Sequence, residues 1–340
     1  MGWLPLLGYI AHKILFLPAL IDKAMSTKGL DELIAKVGGF DPNRLLIRFT
    51  HASLRKWHKQ HATVAALDDV AHNGTANNND KATVPPLADN EQTVVLWPDS
   101  FNSSLGTSPA MAAVEVLEAI GYTVVIPQQF VCCTLTWHST GQLDMVNRVL
   151  RQTAKVMKPY LDRGLPMIGV EPSCTVMLQH EAAELCDDPT YGAVIKNLAR
   201  NTHSFSESIA KRLEQFVAAG VIAPGDVSAL TQVHCHEKSL GDPQHSAAVL
   251  RALGINEEQI ATGCCGLAGN WGFEKGHAEV SMALGERELF PKVKKAATEG
   301  KVVIADGFSC RTQIEQGTGT NAQHIAEIVH GIIGKASYYN

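Results

Sequence analysis

An α/β fold made of two copies of one βα plan is what the sequence predicts, and three observations predict it. From Thr93 onward, short β-branched runs alternate with helical ones, the pattern of βα units on a mostly parallel sheet. Cysteine landmarks recur in order: Asp99 to Cys132 spans 33 positions and Cys235 to Cys264 spans 29, while Cys133 to Cys174 spans 41 and Cys265 to Cys310 spans 45. The composition agrees, because 28 glycines with only 6% aromatic residues suit close helix-to-sheet approach better than an aromatic-packed β-sandwich. At about 150 residues per domain, the 340 residues accommodate two domains.

Residues 1–70 are expected to form a helical segment, with apolar repeats in Leu30–Val37 and a basic, His-rich end at Leu54–His61. The opening Met1–Ile21 is apolar, yet it lacks a basic leader, contains Pro5 and Pro18 and is interrupted by His12 and Lys13. It suits neither a secretory signal nor a spanning helix; its amphipathic look fits a helix covered by another domain, or one lying on a membrane surface. Residues 71–92, dense in Asn, Pro and small side chains without periodicity, are expected as a linker.

The first copy is expected over 93–200. It runs from strand Val94–Trp97 through helix Pro109–Ile120, strand Thr123–Ile126, the pair Cys132-Cys133, helix Gln142–Lys158 and strand Met167–Val170 to Ser173-Cys174. The second, over 201–340, starts with strand Leu230–Val233 leading to Cys235, then helix His245–Leu253, the pair Cys264-Cys265, helix His277–Lys295, strand Val302–Ala305 and Ser309-Cys310. In both, the strand before the last cysteine ends in a polar turn, GVEPSC at 169–174 and ADGFSC at 305–310. The residues 175–228, with a helix at Phe205–Ala219, are expected to join the copies and pack them face to face.

Charge and cysteine usage narrow the function. Lys+Arg 29 against Asp+Glu 34 leaves a net charge of −5, so no basic excess marks a nucleic-acid partner. Eight cysteines without a recognisable leader point to a reducing compartment, where clustered thiols mean metal or redox chemistry. Thiolates are soft ligands, and several converging from strand ends suit a soft metal or an iron–sulfur cluster. The second copy supplies four candidates, Cys235, Cys264, Cys265 and Cys310. The first supplies Cys132, Cys133 and Cys174, with Asp99 where Cys235 stands in the second; such a set could hold zinc, a cluster with one unusual ligand, or nothing. His234 and His236 flank Cys235 and are expected to support the sulfurs by hydrogen bonding rather than ligate, and Arg311 beside Cys310 is a candidate for electrostatic support. Gly263, Gly266, Gly269 and Gly272 do not match a phosphate loop; they would let backbone N–H groups wrap a sulfur. His138, His245, His277 and His324 are expected as surface or capping residues.

Thr262–Phe273 (TGCCGLAGNWGF), Val233–Glu237 (VHCHE), Leu289-Phe290-Pro291 and Ala305–Ile314 (ADGFSCRTQI) resemble the cysteine-rich CCG domain in the iron–sulfur part of flavin-linked 2-hydroxyacid dehydrogenases of the D-lactate, glycolate and D-2-hydroxyglutarate type. More distantly they resemble the CCG subunits of heterodisulfide reductase and anaerobic glycerol-3-phosphate dehydrogenase. The resemblance covers roughly residues 93–330 and is stronger in the second copy. It implies two pseudo-symmetric CCG-type domains behind an N-terminal helical segment. The chain departs from the family's closing C-x-x-C, having Gln313 and Met177 where the last thiols would stand, so a five-thiolate cluster is not available at either site.

The function expected on this basis is electron transfer. A 4Fe-4S cluster or zinc would sit on the four thiols of the second copy, and FAD would be carried by a partner or an upstream domain. The implied partners are a flavin-binding dehydrogenase domain or subunit, a ferredoxin-like domain and an electron acceptor. Two alternatives stay open: thiol or heterodisulfide redox at Cys264-Cys265, and a zinc-closed docking module. The expected location is the cytoplasm, or the inner face of the membrane as a peripheral protein.

Overall fold

Two parallel sheets carry the chain. The first is ordered β2-β1-β3-β4 and consists of β1 (Thr93–Leu96), β2 (Thr123–Val125), β3 (Met167–Gly169) and β4 (Thr202–Ser204). The second is ordered β6-β5-β7, from β5 (Val227–Thr231), β6 (Ile255–Gln259) and β7 (Val302–Ile304). Every pairing is parallel, with Val94 opposite Val124, Val95 opposite Met167, and Leu230 opposite Val303. The fold is mixed α/β, as parallel strands require, since each crossover needs a helix to bring the chain back. This computed structural model describes residues 4–14, 17–25, 27, 29, 36, 38–45, 49–50, 52–61, 92–261 and 263–338. But for residues 36 and 92, the apolar repeat at Leu30–Val37 and the linker expected at 71–92 lie outside the described residues.

The crossover helices form for local reasons. Ser108–Ala119 starts with a proline in its first turn and buries Ala110, Ala113, Val114 and Leu117 against the first sheet. Leu143–Leu161 buries Val146, Val149, Leu150, Thr153, Ala154 and Met157, a helical repeat on one face. Phe205–Ala218 opens with a capping box in which Ser204 Oγ takes the Glu207 N–H and Glu207 reaches back to Ser204 N.

Three differences from the sequence-based expectation stand out. Strand β4 joins the first sheet although Thr202–Ser204 is too short to show a pattern. Strand β6, with sequence INEEQ, is a largely exposed edge beside β5, so it carries no apolar signature. The helix expected over His277–Lys295 is two, Ala278–Glu286 and Leu289–Thr298, because Pro291 belongs to a first turn and not to a helix interior.

One core runs through both halves. It joins Val94, Leu96 and Leu117 to Val249, Leu250, Ile304 and Ile325. Phe205–Ala218 packs against Gln244–Ala252, and the final helix, Ile325–Tyr338, crosses back onto Ser108–Ala119. In each sheet the connections reverse direction about its first strand, β1 or β5. The crevice beyond the carboxyl ends of β1 and β3, and likewise of β5 and β7, is therefore a topological switch point, where open α/β sheets build their sites.

Candidate metal centre

The switch point of the second sheet gathers the four cysteines of that half. After β5 the chain turns through buried His234, whose Nδ1 accepts the His236 N–H (3.2 Å) and so caps a short helix that begins at Cys235. Cys310 lies in the first turn of Phe308–Thr318, just past β7. Cys264 and Cys265 arrive on the loop after β6. Cys264 lies close enough to Cys235 and Cys265 for the three thiols to perturb one another's ionisation, and Cys265 neighbours Cys310 in the same way. Beside Cys235 and Cys265, Cys264 has its pKa pulled far down, with Gly266 N–H adding a bond at 3.4 Å. The partners shift the other way: the neighbouring Cys264, then burial, raises Cys235, and the neighbouring Cys264 and Cys310 raise Cys265. Cys264 is exposed, whereas Cys265 and Cys310 are buried.

The first sheet repeats the arrangement with one carboxylate. Asp99 caps the helix after β1, accepting the Asn102 N–H (2.8 Å) and Asn102 Nδ2 (3.0 Å). Cys133 donates to Cys174 at 3.1 Å. Thr134 N–H reaches the Cys132 sulfur at 3.4 Å, the counterpart of Gly266 N–H on Cys264. Both third residues adopt positive φ, 74° for Thr134 and 99° for Gly266. The turn that aims an N–H at the first sulfur of each pair is therefore left-handed, and only the second copy meets it with glycine. Burial, with Glu171 nearby, raises Asp99 to about 7. Cys174 rises to about 12: the hydrogen bond from Cys133 lowers it, but burial and the charges of Asp99 and Glu171 outweigh that.

A cavity of about 210 Å³ lies between the halves and opens on the second thiol group. Cys235, Cys264 and Cys265 form one wall, and Phe101, Leu135, Phe273 and Phe308 make it largely apolar. Phe101 of the first half stacks on Phe308 of the second, with ring centres 5.1 Å apart. Cys132, Cys133 and Cys174 of the first half are not among its walls and are buried.

Between the two groups stands Glu171, which no sequence motif singled out. Its carboxylate accepts Ser173 Oγ (2.8 Å) and, from the other half, Phe308 N–H (2.8 Å). Burial raises its pKa, with Arg311 pulling the other way. Its place in GVEPSC at the end of β3 was the one available hint. Of the supporting residues named from sequence, His234 is buried against Gly307, and burial, then the neighbouring His236, lowers it to about 3, so the ring is neutral. His236 lines the cavity with a buried Nδ1 that has no partner among the described residues. Arg311 is committed to the carbonyls of Ala305 and Asp306. His324 is a capping residue, as expected, but a buried one: its Nδ1 accepts the Ala326 N–H (2.9 Å) at the start of the last helix, its Nε2 faces the Val170 carbonyl (3.0 Å) across the halves, and burial, which outweighs the charge of Asp306, lowers its pKa.

Four neighbouring soft donors, with a backbone N–H on the sulfur of exposed Cys264, are a donor set that fits an iron–sulfur cluster. Gln313, where the resembled pattern has its last cysteine, donates Nε2 to Ser281 O (2.9 Å), and its buried Oε1 has no partner among the described residues. Among the described residues, no three His, Cys, Asp or Glu side chains are disposed to hold a single metal ion.

Comparison with known families finds that residues 101–179 match the cysteine-rich CCG domain. The match falls on the first half, although the motifs that carry the resemblance lie mostly in the second. Among curated relatives, D-2-hydroxyglutarate dehydrogenase of Pseudomonas putida is 26% identical over 324 residues, covering 94% of this chain and 28% of that protein. A subunit of the anaerobic glycerol-3-phosphate dehydrogenase of Escherichia coli K12 is 22% identical over 311 residues, 90% of this chain and 70% of that subunit. Lactate utilization protein A of Bacillus velezensis is 25% identical over 246 residues, 68% of this chain and 94% of that protein. The chain thus spans about a quarter of the D-2-hydroxyglutarate dehydrogenases it matches, 28% and 23% of two of them.

Proposed function

We propose that this chain is an electron-transfer module of a flavin-dependent 2-hydroxyacid dehydrogenase, with an iron–sulfur cluster of the 4Fe-4S type on Cys235, Cys264, Cys265 and Cys310. The observation that carries the reading is the meeting of those four sulfurs, drawn from three separate segments, beside an apolar cavity. When bound, a cluster there would accept and pass on single electrons. The chain's own residues supply the setting. Gly266 N–H stabilises negative charge on Cys264, and Phe101, Phe273 and Phe308 exclude water. The raised thiols of Cys235 and Cys265 must lose their protons to ligate, so loading releases protons and weakens as pH falls.

The dehydrogenation itself belongs in this reading to a flavin-binding domain or subunit, with a ferredoxin-like domain between it and this chain. The names of the relatives, dehydrogenases and a part of a dehydrogenase, support that division. The halves 93–200 and 201–340 would each present one thiol group, behind the segment 1–70 and linker 71–92, and Asp99, Cys132, Cys133 and Cys174 would form a second, sealed site. The proposed location is the cytoplasm or the inner membrane face; exposed Leu7, Ile10, Ile14 and Leu20 support a peripheral contact, and no helix among the described residues is long and apolar enough to cross a membrane.

A second reading, thiol–disulfide exchange at Cys264, is favoured by the exposure and lowered pKa of that residue. Anaerobic purification with iron, sulfide and zinc analysis separates the two. Iron and sulfide in the wild type, bleached by dithionite and lost in Cys265→Ala, are expected. A colourless protein with stoichiometric zinc replaces electron transfer with a structural role, and a metal-free protein whose Cys264 cycles through a mixed disulfide supports the second reading.

A further inference from the structure

Residues 38–45 lie along the loop that follows Cys264-Cys265. Phe40 bridges Glu274, Asp41 N donates to Phe273 O (2.8 Å), and Lys275 N donates to Gly39 O (3.0 Å). The Asp41 carboxylate takes Gly276 N–H (2.8 Å) and Asn43 N–H (2.9 Å). This strap presents Arg44, whose side chain is buried at 5% exposure. Arg44 Nε donates to Gly272 O (3.0 Å), one terminal nitrogen to Ser281 Oγ and the other to Gln316 Oε1 (3.3 Å), with the guanidinium 5.8 Å from the Phe273 ring centre.

These partners shape the cysteine loop. The Ser281 carbonyl and Gln313 amide hem in Gly266, and the Ser281 hydroxyl hems in Gly272. Phe273 is a wall of the cavity. A buried guanidinium needs negative charge within reach, because an uncompensated one is costly. Among the described residues, Asp41 and the Cys265 sulfur are the groups that act on Arg44 in that sense, and the Asp41 carboxylate is already engaged by backbone N–H groups. Arg44 thus places a buried, fixed positive charge against Gly272 and Ser281 at the end of the loop that carries Cys264 and Cys265.

We propose that Arg44 is a positioning residue of the second thiol site: it clamps the Cys264–Phe273 loop through Gly272 and Ser281, and its fixed positive charge favours the more negative state of what the thiolates hold. The clamp stands on the geometry alone; the electrostatic half rests on the iron–sulfur reading above.

Full-length Arg44→Gln and Arg44→Lys test it. In metal-free protein, maleimide labelling of buried Cys265, mapped by peptide mass, is expected to be about tenfold faster or more in Arg44→Gln, since the charged hydrogen bonds of Arg44 hold the loop shut. Should Arg44→Gln not fold by circular dichroism, Arg44→Lys, unable to reproduce the three-way fork, carries this arm and should also label faster. Wild-type labelling in every folded variant overturns the clamp. In anaerobically reconstituted protein titrated with dithionite, the midpoint potential of Arg44→Gln is expected to shift negative while Arg44→Lys returns toward wild type. Equal potentials in all three, with cluster bound, overturn the electrostatic half. The labelling arm uses protein without metal, so it decides the clamp even if no cluster is ever found.

Discussion

Replacing Gly266 with alanine strikes the second thiol site where the backbone is most constrained. Its φ of +99° lies in the region L side chains avoid, which costs roughly 1–2 kcal/mol. The added methyl would stand 3.0 Å from Gln313 Nε2 and from Leu284 Cβ, and nearer still to the Ser281 carbonyl, which belongs to a helix and cannot swing away. Overpacking of that kind adds about 1–3 kcal/mol. We expect a loss of about 3 kcal/mol in urea unfolding of the metal-free protein, seen as a lower midpoint at unchanged slope. Gly263, in the same loop, has open space around its would-be methyl and no positive φ, so Gly263→Ala should stay within about 0.5 kcal/mol of wild type. A Gly266→Ala variant that loses less than about 1 kcal/mol, or that matches Gly263→Ala, would refute the claim that left-handed backbone and the Ser281 contact shape this loop.

Asp99, raised by burial to about 7 from 3.8, holds a proton in the native state that the unfolded chain has released; stability therefore falls as pH rises from about 4 through 7, by at most on the order of 4 kcal/mol from this group. Urea unfolding of metal-free protein at pH 5 and pH 8 should show a steeper fall in wild type than in Asp99→Asn; what remains in the variant belongs to Glu171 and to Glu237, which burial raises to about 8, both acting in the same direction. Cys264, held as a thiolate, should be the first cysteine alkylated by iodoacetamide at pH 6; reaction only above about pH 8.5, the ordinary thiol range, would show that its neighbours do not lower its pKa. In Thr134→Gly, relief of a left-handed β-branched residue of about 1–2 kcal/mol is offset by about 1 kcal/mol of unfolded-chain entropy, so thermal unfolding should change little or rise. A large loss would mean that the Thr134 side chain, rather than the turn, supports the first site.

Much of the fold was legible because its signals are local. The strand runs at Val94, Met167 and Val302 are mostly buried and β-branched or apolar, the run at Thr123 is wholly β-branched, and the long helices carry their apolar faces at helical spacing. The strands that escaped, β4 and β6, are short or mostly exposed, so burial wrote no pattern into them. The recurrence of cysteines at similar spacing already paired the two copies, and it placed Asp99 opposite Cys235.

Sequence alone determined the donor inventory, four thiols in one copy and three with a carboxylate in the other, because residue type and order need no third dimension. Which group faces a cavity and which is sealed, the standing of Glu171 between them, the crossing of the last helix onto the first half and the burial of Arg44 against the cysteine loop were decided only by tertiary structure. Each of these joins residues more than 100 positions apart. Their contacts arise from how two sheets and their helices share one core, and no local propensity encodes that.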